Sequence, residues 1–163
     1  DSRRGEEQME KTYTVVANTT PAAAYAYVAD LQRHPEWSPD DMQIAPETPG
    51  PVEVGRTYKA EGKLVGRPNR STVEVTAMEE PRRFAFKSTD ANSAWLHEFT
   101  FTPSNGGTRI DRRVTVLRAP AIFPIVFTLL HPFVIGPGNM RTMGMLKQRL
   151  EARASAPAGA PAQ

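Results

Sequence analysis

The chain has 163 residues, of which 39% are hydrophobic and 23% charged, with a formal net charge of +2. These are values for one globular domain with a sizeable core. It contains no cysteine, which excludes disulfides, thiolate nucleophiles and Cys-ligated metals. Basic pairs at Arg3-Arg4, Arg82-Arg83 and Arg112-Arg113 each lie near acidic residues, so there is no basic stripe of the kind that binds nucleic acid.

Residues 1–8 carry no large apolar side chain, and the tail from Ala154 is built mainly of Ala, Pro, Ser and Gly. Neither end buries enough surface to offset the entropy of ordering. The expectation is a folded domain over residues 9–153 between a disordered N-terminal segment and a disordered tail. No apolar leader opens the chain, so a cytoplasmic protein is expected.

Lys11 to Asn18 alternates and is rich in Tyr, Thr and Val, which predicts a strand. Thr20-Pro21 predicts a helix start, with the hydroxyl as cap and proline in the first helical position. Ala24, Val28 and Leu31 are spaced for one buried face. Pro35 ends or bends that region, and a Pro/Asp-rich loop follows through Asp41. Strands are predicted near Met42–Glu47, Arg56–Val65, Ser71–Glu80, Arg82–Ser88, Ala94–Thr102 and Thr108–Leu117. Turn chemistry joins several of them at Gly66-Arg67-Pro68-Asn69, Glu80-Pro81 and Ser104-Asn105-Gly106-Gly107. Such a run of strands makes an antiparallel meander. Ala119 to Ile135 has no formal charge, but it is 17 residues long and holds Pro120, Pro124 and Pro132. A spanning helix needs about 20 apolar residues, and prolines this dense are expected to break the segment into pieces. A final helix from about Pro137-Gly138 to Arg153 then places Met140, Met143, Leu146 and Leu150 on one face.

The last hairpin can be registered from its alternation. With Pro103 opposite Thr108, Phe101 faces Ile110, Phe99 faces Arg112, His97 faces Val114 and Trp95 faces Val116. The other phase would expose the aromatics and bury charge. On the outer face Glu98 falls opposite Arg113, an expected ion pair worth a few tenths of a kcal/mol.

Several stretches together resemble the polyketide cyclase/dehydrase-like domains of the START-like (SRPBCC) superfamily. They are Tyr13–Asp30 running on into His34-Pro35-Glu36-Trp37-Ser38-Pro39, then Val54-Gly55-Arg56, Glu79–Phe86, Gly106–Ile110 and Leu146–Glu151. The resemblance implies an α+β helix-grip fold: a curved antiparallel sheet of about seven strands wrapped around a long C-terminal helix, with two short helices after the first strand. It also implies a ligand cavity between sheet and helix. It does not imply one reaction, because the superfamily includes cyclases, hydrolases, lipid carriers and pure binders.

Alternation turns Tyr58, Ala60, Gly62, Leu64, Val73, Val75, Phe84 and Phe86 inward, followed by Trp95, His97, Phe99, Phe101, Ile110, Arg112, Val114 and Val116. Met140 and Met143 join them from the helix. Aromatics alone read first as plain core. With the implied cavity they read as a ligand wall formed by Tyr58, Phe86, Trp95, His97, Phe99, Arg112, Val114, His131, Met140 and Met143. His97 and Arg112 are diagonal neighbours, and Arg112 must meet a carboxylate, a carbonyl or an anionic oxygen. These two are the candidate catalytic groups: His97 as general acid or base, Arg112 as stabiliser of an enolate. His34 reads as packing and capping, and His131 as a lining of the entrance. Asp40-Asp41 reads as a solvated turn.

The histidines lack metal-ligand spacing. No phosphate loop or nucleophile elbow signals a nucleotide cofactor or a hydrolase. The apolar side chains between 119 and 135, Phe123, Phe127 and Phe133 among them, exceed what one helix face buries. They are expected to form a lid, a bent cap or a peripheral membrane or dimer contact. Three functions follow: a carrier or sequestering protein for a lipid-like or polyketide-like molecule, a cyclase or dehydratase working by enolate chemistry, or a docking module.

Overall fold

Hydrophobic alternation and turn chemistry dictate a sheet, and the computed structural model, which describes residues 9–39, 41–64 and 67–156, contains one. Its strands are β1 (Glu10–Ala17), β2 (Asp41–Pro46), β3 (Thr57–Leu64), β4 (Arg67–Glu79), β5 (Arg83–Thr89), β6 (Ala94–Ser104) and β7 (Gly107–Arg118). They pair antiparallel in the order β1-β7-β6-β5-β4-β3-β2. The first two strands therefore lie at opposite edges. The chain crosses between them through α1 (Pro21–Ala29), a 3₁₀ turn (Leu31–Arg33) and α2 (His34–Trp37).

Local chemistry sets each of these pieces. The Thr20 hydroxyl accepts a hydrogen bond from the Ala23 N–H at 3.1 Å, capping α1 ahead of Pro21. Ala24, Val28 and Leu31 are buried as their spacing requires. Pro35 does not end the helical region: it occupies the first turn of α2, where a missing N–H costs nothing. The β6–β7 turn runs through Asn105-Gly106, and Gly106 has a φ of 74°, a left-handed conformation that glycine adopts without strain. A Cβ on the next residue, Gly107, would lie 2.2 Å from the carbonyl oxygen of Ala17, so that position admits no side chain.

The β6–β7 register agrees with the one read from the alternation, from Pro103 opposite Thr108 to Trp95 opposite Val116. One consequence differs. Glu98 does stand opposite Arg113, but its carboxylate pairs with Arg83 at 2.7 Å, and Arg113 lies 3.5 Å from Glu10. Arg83 comes from the neighbouring strand β5 and reaches Glu98 first. Strand β4 also begins earlier than expected, at Arg67, and Pro68 pairs with Lys63 inside the ladder.

The larger correction concerns the apolar segment. The prolines do not break it. The helices α3 (Phe123–Leu130) and α4 (Gly136–Ser155) are joined by a π-helical turn (His131–Ile135) into one helical run of 33 residues. Pro124, Pro132 and Pro137 each fall in the first turn of one of these three pieces. The wider π turn accommodates the hydrogen bond that Pro132 cannot donate. By length and composition this run is long and apolar enough to cross a membrane, and only 6% of its apolar window is buried. Its C-terminal part, however, packs against β1, α1 and α2.

Met143, Leu146 and Leu150 enter the core, each contributing about 1.5–3 kcal/mol by leaving water. Met140 does not follow that stripe and is 45% exposed, while Thr142 takes a buried place. The helix presents 142, 143, 146 and 150 inward, which rotates Met140 out. Asn18 N–H donates to Glu151 at 3.0 Å, and Arg149 donates to the Glu36 carbonyl at 3.0 Å, tying α4 to the β1–α1 loop and to α2. Ala154 and Ser155 extend α4 two residues past its expected end. The disorder expected for residues 1–8 and for most of the tail lies outside the described residues. So do Asp40, residues 65–66 and the side chains of Asp41 and Leu64.

Candidate ligand-binding site

The inner face of β5 and β6 carries a continuous aromatic layer. Phe84, Phe86, Phe99 and Phe101 are buried, with neighbouring ring centroids 6.1–6.5 Å apart. Trp37 from α2 meets Phe99 edge-on at 6.0 Å. The layer exists because the strands alternate with period two, and the short helices α1 and α2 are laid over it by the crossover from β1 to β2.

The ten residues expected to line a ligand divide into three groups. Tyr58, Phe86, Phe99 and Met143 are buried and serve as core, and Arg112 is buried beside them. Trp95, His97, Val114 and His131 keep part of their surface. Met140 is exposed. The second group is the informative one. His97 lies in the middle of a central strand, deep enough for desolvation to dominate its titration, yet it retains accessible surface. His34 combines the same two properties. Two crevices, each of about 540 Å³, lie away from these residues. One is bordered by Asn18, Pro21 and Gly107, the other by Arg83, Glu98 and Arg113 on the outer face of the sheet.

The polar residues of the interior converge. The Arg112 guanidinium donates to His97 Nδ1 at 3.2 Å and stands 5.8 Å from the Phe99 ring. The imidazole of His97 stacks on Phe86 at 4.8 Å. His34 approaches the same Phe86 ring edge-on at 6.3 Å and Trp37 at 4.3 Å. Burial pushes the His34 pKa down to about 3, with the Arg112 charge adding to the effect. Burial, then Arg112 and His34, push His97 well below its ordinary value. Both imidazoles are therefore neutral at pH 7. Opposite Arg112 on β1, Tyr13 Oη lies 3.0 Å from His131 Nε2, on the π turn, and burial raises the Tyr13 pKa. Phe123 meets Trp95 edge-on at 5.3 Å, and Phe127 meets His131 at 5.1 Å. Phe123 of α3 thus packs on Trp95, and His131 of the π turn on Tyr13.

The register alone brought His97 and Arg112 together, and the structure agrees. His34 reads from the sequence as packing and capping, but α2 carries it to the same Phe86 ring as His97. Tyr13 was also missed. A signal for it existed, since it stands opposite Arg112 across β1 and β7. Among the described residues no group of three or more His, Asp or Glu could hold a metal.

Solved structures that share the fold include the Zhui aromatase/cyclase of Streptomyces sp. R1128, at 12% identity and a TM-score of 0.75, covering 94% of this chain and 100% of that one. A protein of Thermus thermophilus matches at 17% identity and a TM-score of 0.72, over 91% and 100% of the two chains. A START superfamily protein of Mycobacterium smegmatis matches at 15% identity and a TM-score of 0.70, over 88% and 98%. At these identities the likeness shows the fold alone: the seven-stranded helix-grip. No curated protein matches the chain. A family model does match, over residues 8–151, which is nearly the whole described domain. The chain belongs to the family described as polyketide cyclase / dehydrase and lipid transport, with the START-like fold.

Proposed function

We propose that this chain binds one apolar small molecule in the space between the inner face of β5–β7 and the helical run Phe123–Ser155, as a carrier or sequestering protein. The observation that carries the reading is that Trp95, His97, Val114 and His131 keep surface although His97 packs on the buried Phe86 and His131 on the buried Tyr13 and Phe127. A plainly packed core would leave no such surface. The neutral state of His34 and His97 favours carriage over proton-transfer chemistry, because a general acid or base works best with a pKa near the operating pH.

Replacing Val114 by Trp tests this. In an open space the larger ring is accommodated, stability is unchanged and binding of apolar probes is lost. In a close-packed core the same change costs about 1–3 kcal/mol through overpacking, and that result would remove the basis of the reading.

A second reading, an enzyme of cyclase or dehydratase type, draws on the Arg112–His97 pair. Two adjacent donors at the end of an apolar wall can stabilise an enolate oxygen. Accumulation of a changed product only with the unmodified protein would favour it. A third reading, docking to a lipid surface, draws on α3 and the π turn. Ile122, Ile125, Leu129, Phe133 and Val134 are each at least 60% exposed. No charged residue falls between Arg118 and Arg141, which bracket the patch, so nothing there repels an anionic bilayer.

A further inference from the structure

The helical run Phe123–Ser155 has two unlike halves. In the second, Met143, Leu146 and Leu150 are buried and α4 packs on β1, α1 and α2. The apolar window of the run is only 6% buried, although the run is long and apolar enough to cross a membrane. Two ordinary explanations for such a helix fail here. A core helix would be mostly buried, and a signal sequence would lie near an N-terminus, whereas this run follows the seventh strand. Nor can the run span a bilayer from this fold, because Leu146 and Leu150 hold its second half in the core.

The first half presents two stripes. Phe123, Phe127 and His131, four residues apart, turn inward: Phe123 packs on Trp95, and His131 on Tyr13 and Phe127. Ile122, Ile125, Leu129 and Phe133, three or four apart, are exposed, with Leu130 and Val134 beside them. The hydroxyl of Thr128 donates to the Pro124 carbonyl at 2.9 Å, so the outer stripe offers no polar side chain to a protein partner, whose interface would carry hydrogen bonds and a polar rim. The charges that bracket the stripe in the chain are Arg118 and Arg141. Arg118 donates to the carbonyls of Asp90 and Ala91, and the Asp90 carboxylate accepts from Ser93 and from the Asn92 N–H within its own turn. A second copy would bring two more arginines and no acid from this stretch. An anionic bilayer brings hydrocarbon for the stripe and counter-charge for both arginines.

We propose that the outer stripe of α3 and the π turn docks in the interface of an anionic lipid bilayer, and that the cavity is loaded there, its ligand being a membrane-dissolved, lipid-like compound that passes directly between bilayer and cavity. The proposal rests on the cavity reading and makes the docking surface its portal instead of a separate function. One helical segment serves both: Trp95 and His131, which keep surface in the cavity reading, lie in or against the inner stripe directly behind the outer one. An apolar molecule taking this path avoids exposure to water.

The experiment uses the full chain, vesicles of phosphatidylcholine alone or mixed with phosphatidylglycerol, and pyrenedecanoate as the probe. The wild type should co-sediment with the anionic vesicles, and its transfer of bound probe should speed up as vesicle concentration rises. Ile125→Ser combined with Leu129→Ser changes only the outer stripe. It should bind the probe in solution as before, while vesicle affinity falls at least about tenfold and transfer no longer depends on vesicle concentration. Arg141→Gln, a milder change at an exposed site, should lower affinity for the anionic vesicles about fivefold and leave the neutral ones unaffected. Equal sedimentation of the wild type and the double variant overturns the docking surface. A wild-type dimer that the double variant converts to monomer assigns the stripe to a second copy and overturns it as well. Sedimentation with transfer indifferent to vesicle concentration overturns the portal and leaves the cavity reading in place. If the wild type takes up no probe, the cavity reading itself falls, and this inference falls with it.

Discussion

Lowering the pH from 7 to 5 perturbs the interior of this protein through His34, and the size of the effect follows from its surroundings. An unfolded histidine takes up a proton as the pH falls through its ordinary value of 6.5, whereas folded His34 stays neutral until about pH 3. Between those limits the unfolded state holds the extra proton, so stability falls as the pH falls; above 6.5 the group contributes nothing. At roughly 1.4 kcal/mol per unit, the interval down to pH 5 amounts to about 2 kcal/mol. His97 is shifted in the same direction by burial, Arg112 and His34, and adds a loss of the same sign. Surface carboxylates contribute over the same range, so the isolating assay is a difference. Urea unfolding of the wild-type chain and of His34→Gln is compared at pH 7 and pH 5. The wild type should lose about 2 kcal/mol more than the variant. Equal losses would refute the burial of a neutral imidazole at this position.

Other outcomes follow from the same geometry. Leu146→Ala removes a fully buried side chain beneath α4 and should cost about 2–5 kcal/mol in a urea or thermal unfolding curve. Met140→Ala, on the exposed side of that helix, should change stability by less than about 0.5 kcal/mol. Tyr13→Phe removes the hydroxyl that lies 3.0 Å from His131 Nε2. It should speed hydrogen exchange in residues 123–135 while the exchange of β5 and β6 stays as before. Phe133→Asp, at a site 80% exposed, should leave stability unchanged and lower co-sedimentation with vesicles of mixed neutral and anionic lipid; equal sedimentation of variant and wild type would remove the lipid-docking reading.

Much of the sheet was legible because its information is local. The period-two alternation of Trp95, His97, Phe99 and Phe101 against Ile110, Arg112, Val114 and Val116 allows one register, and the Asn105-Gly106 turn fixes it. That register also brought His97 to Arg112. The ion pairs were less legible, since Glu98 had two arginines within reach and the sequence does not say which side chain arrives first.

His34 shows a different limit. Its partners Phe86 and His97 are distant in the chain, and only the angle set by the 3₁₀ turn and α2 brings it to them. Nothing in the local pattern around Pro35 encodes that angle. The run from Phe123 to Ser155 fails for the opposite reason. Proline density argues for interruption, but each proline falls in the first turn of a helical piece, and a π turn absorbs the missing hydrogen bond. Met140 then follows from the helix phase, which is set by Met143, Leu146 and Leu150 packing on the core rather than by the apolar pattern alone.

The central claim is that the chain holds an apolar molecule between the sheet and its C-terminal helix. Native mass spectrometry of the protein purified from its own cells tests that most directly. The account predicts a complex heavier than the chain by the mass of one small molecule, released chemically unchanged. The same preparation of Val114→Trp should carry none. A wild-type protein that is empty, and that takes up no apolar probe afterwards, would contradict it.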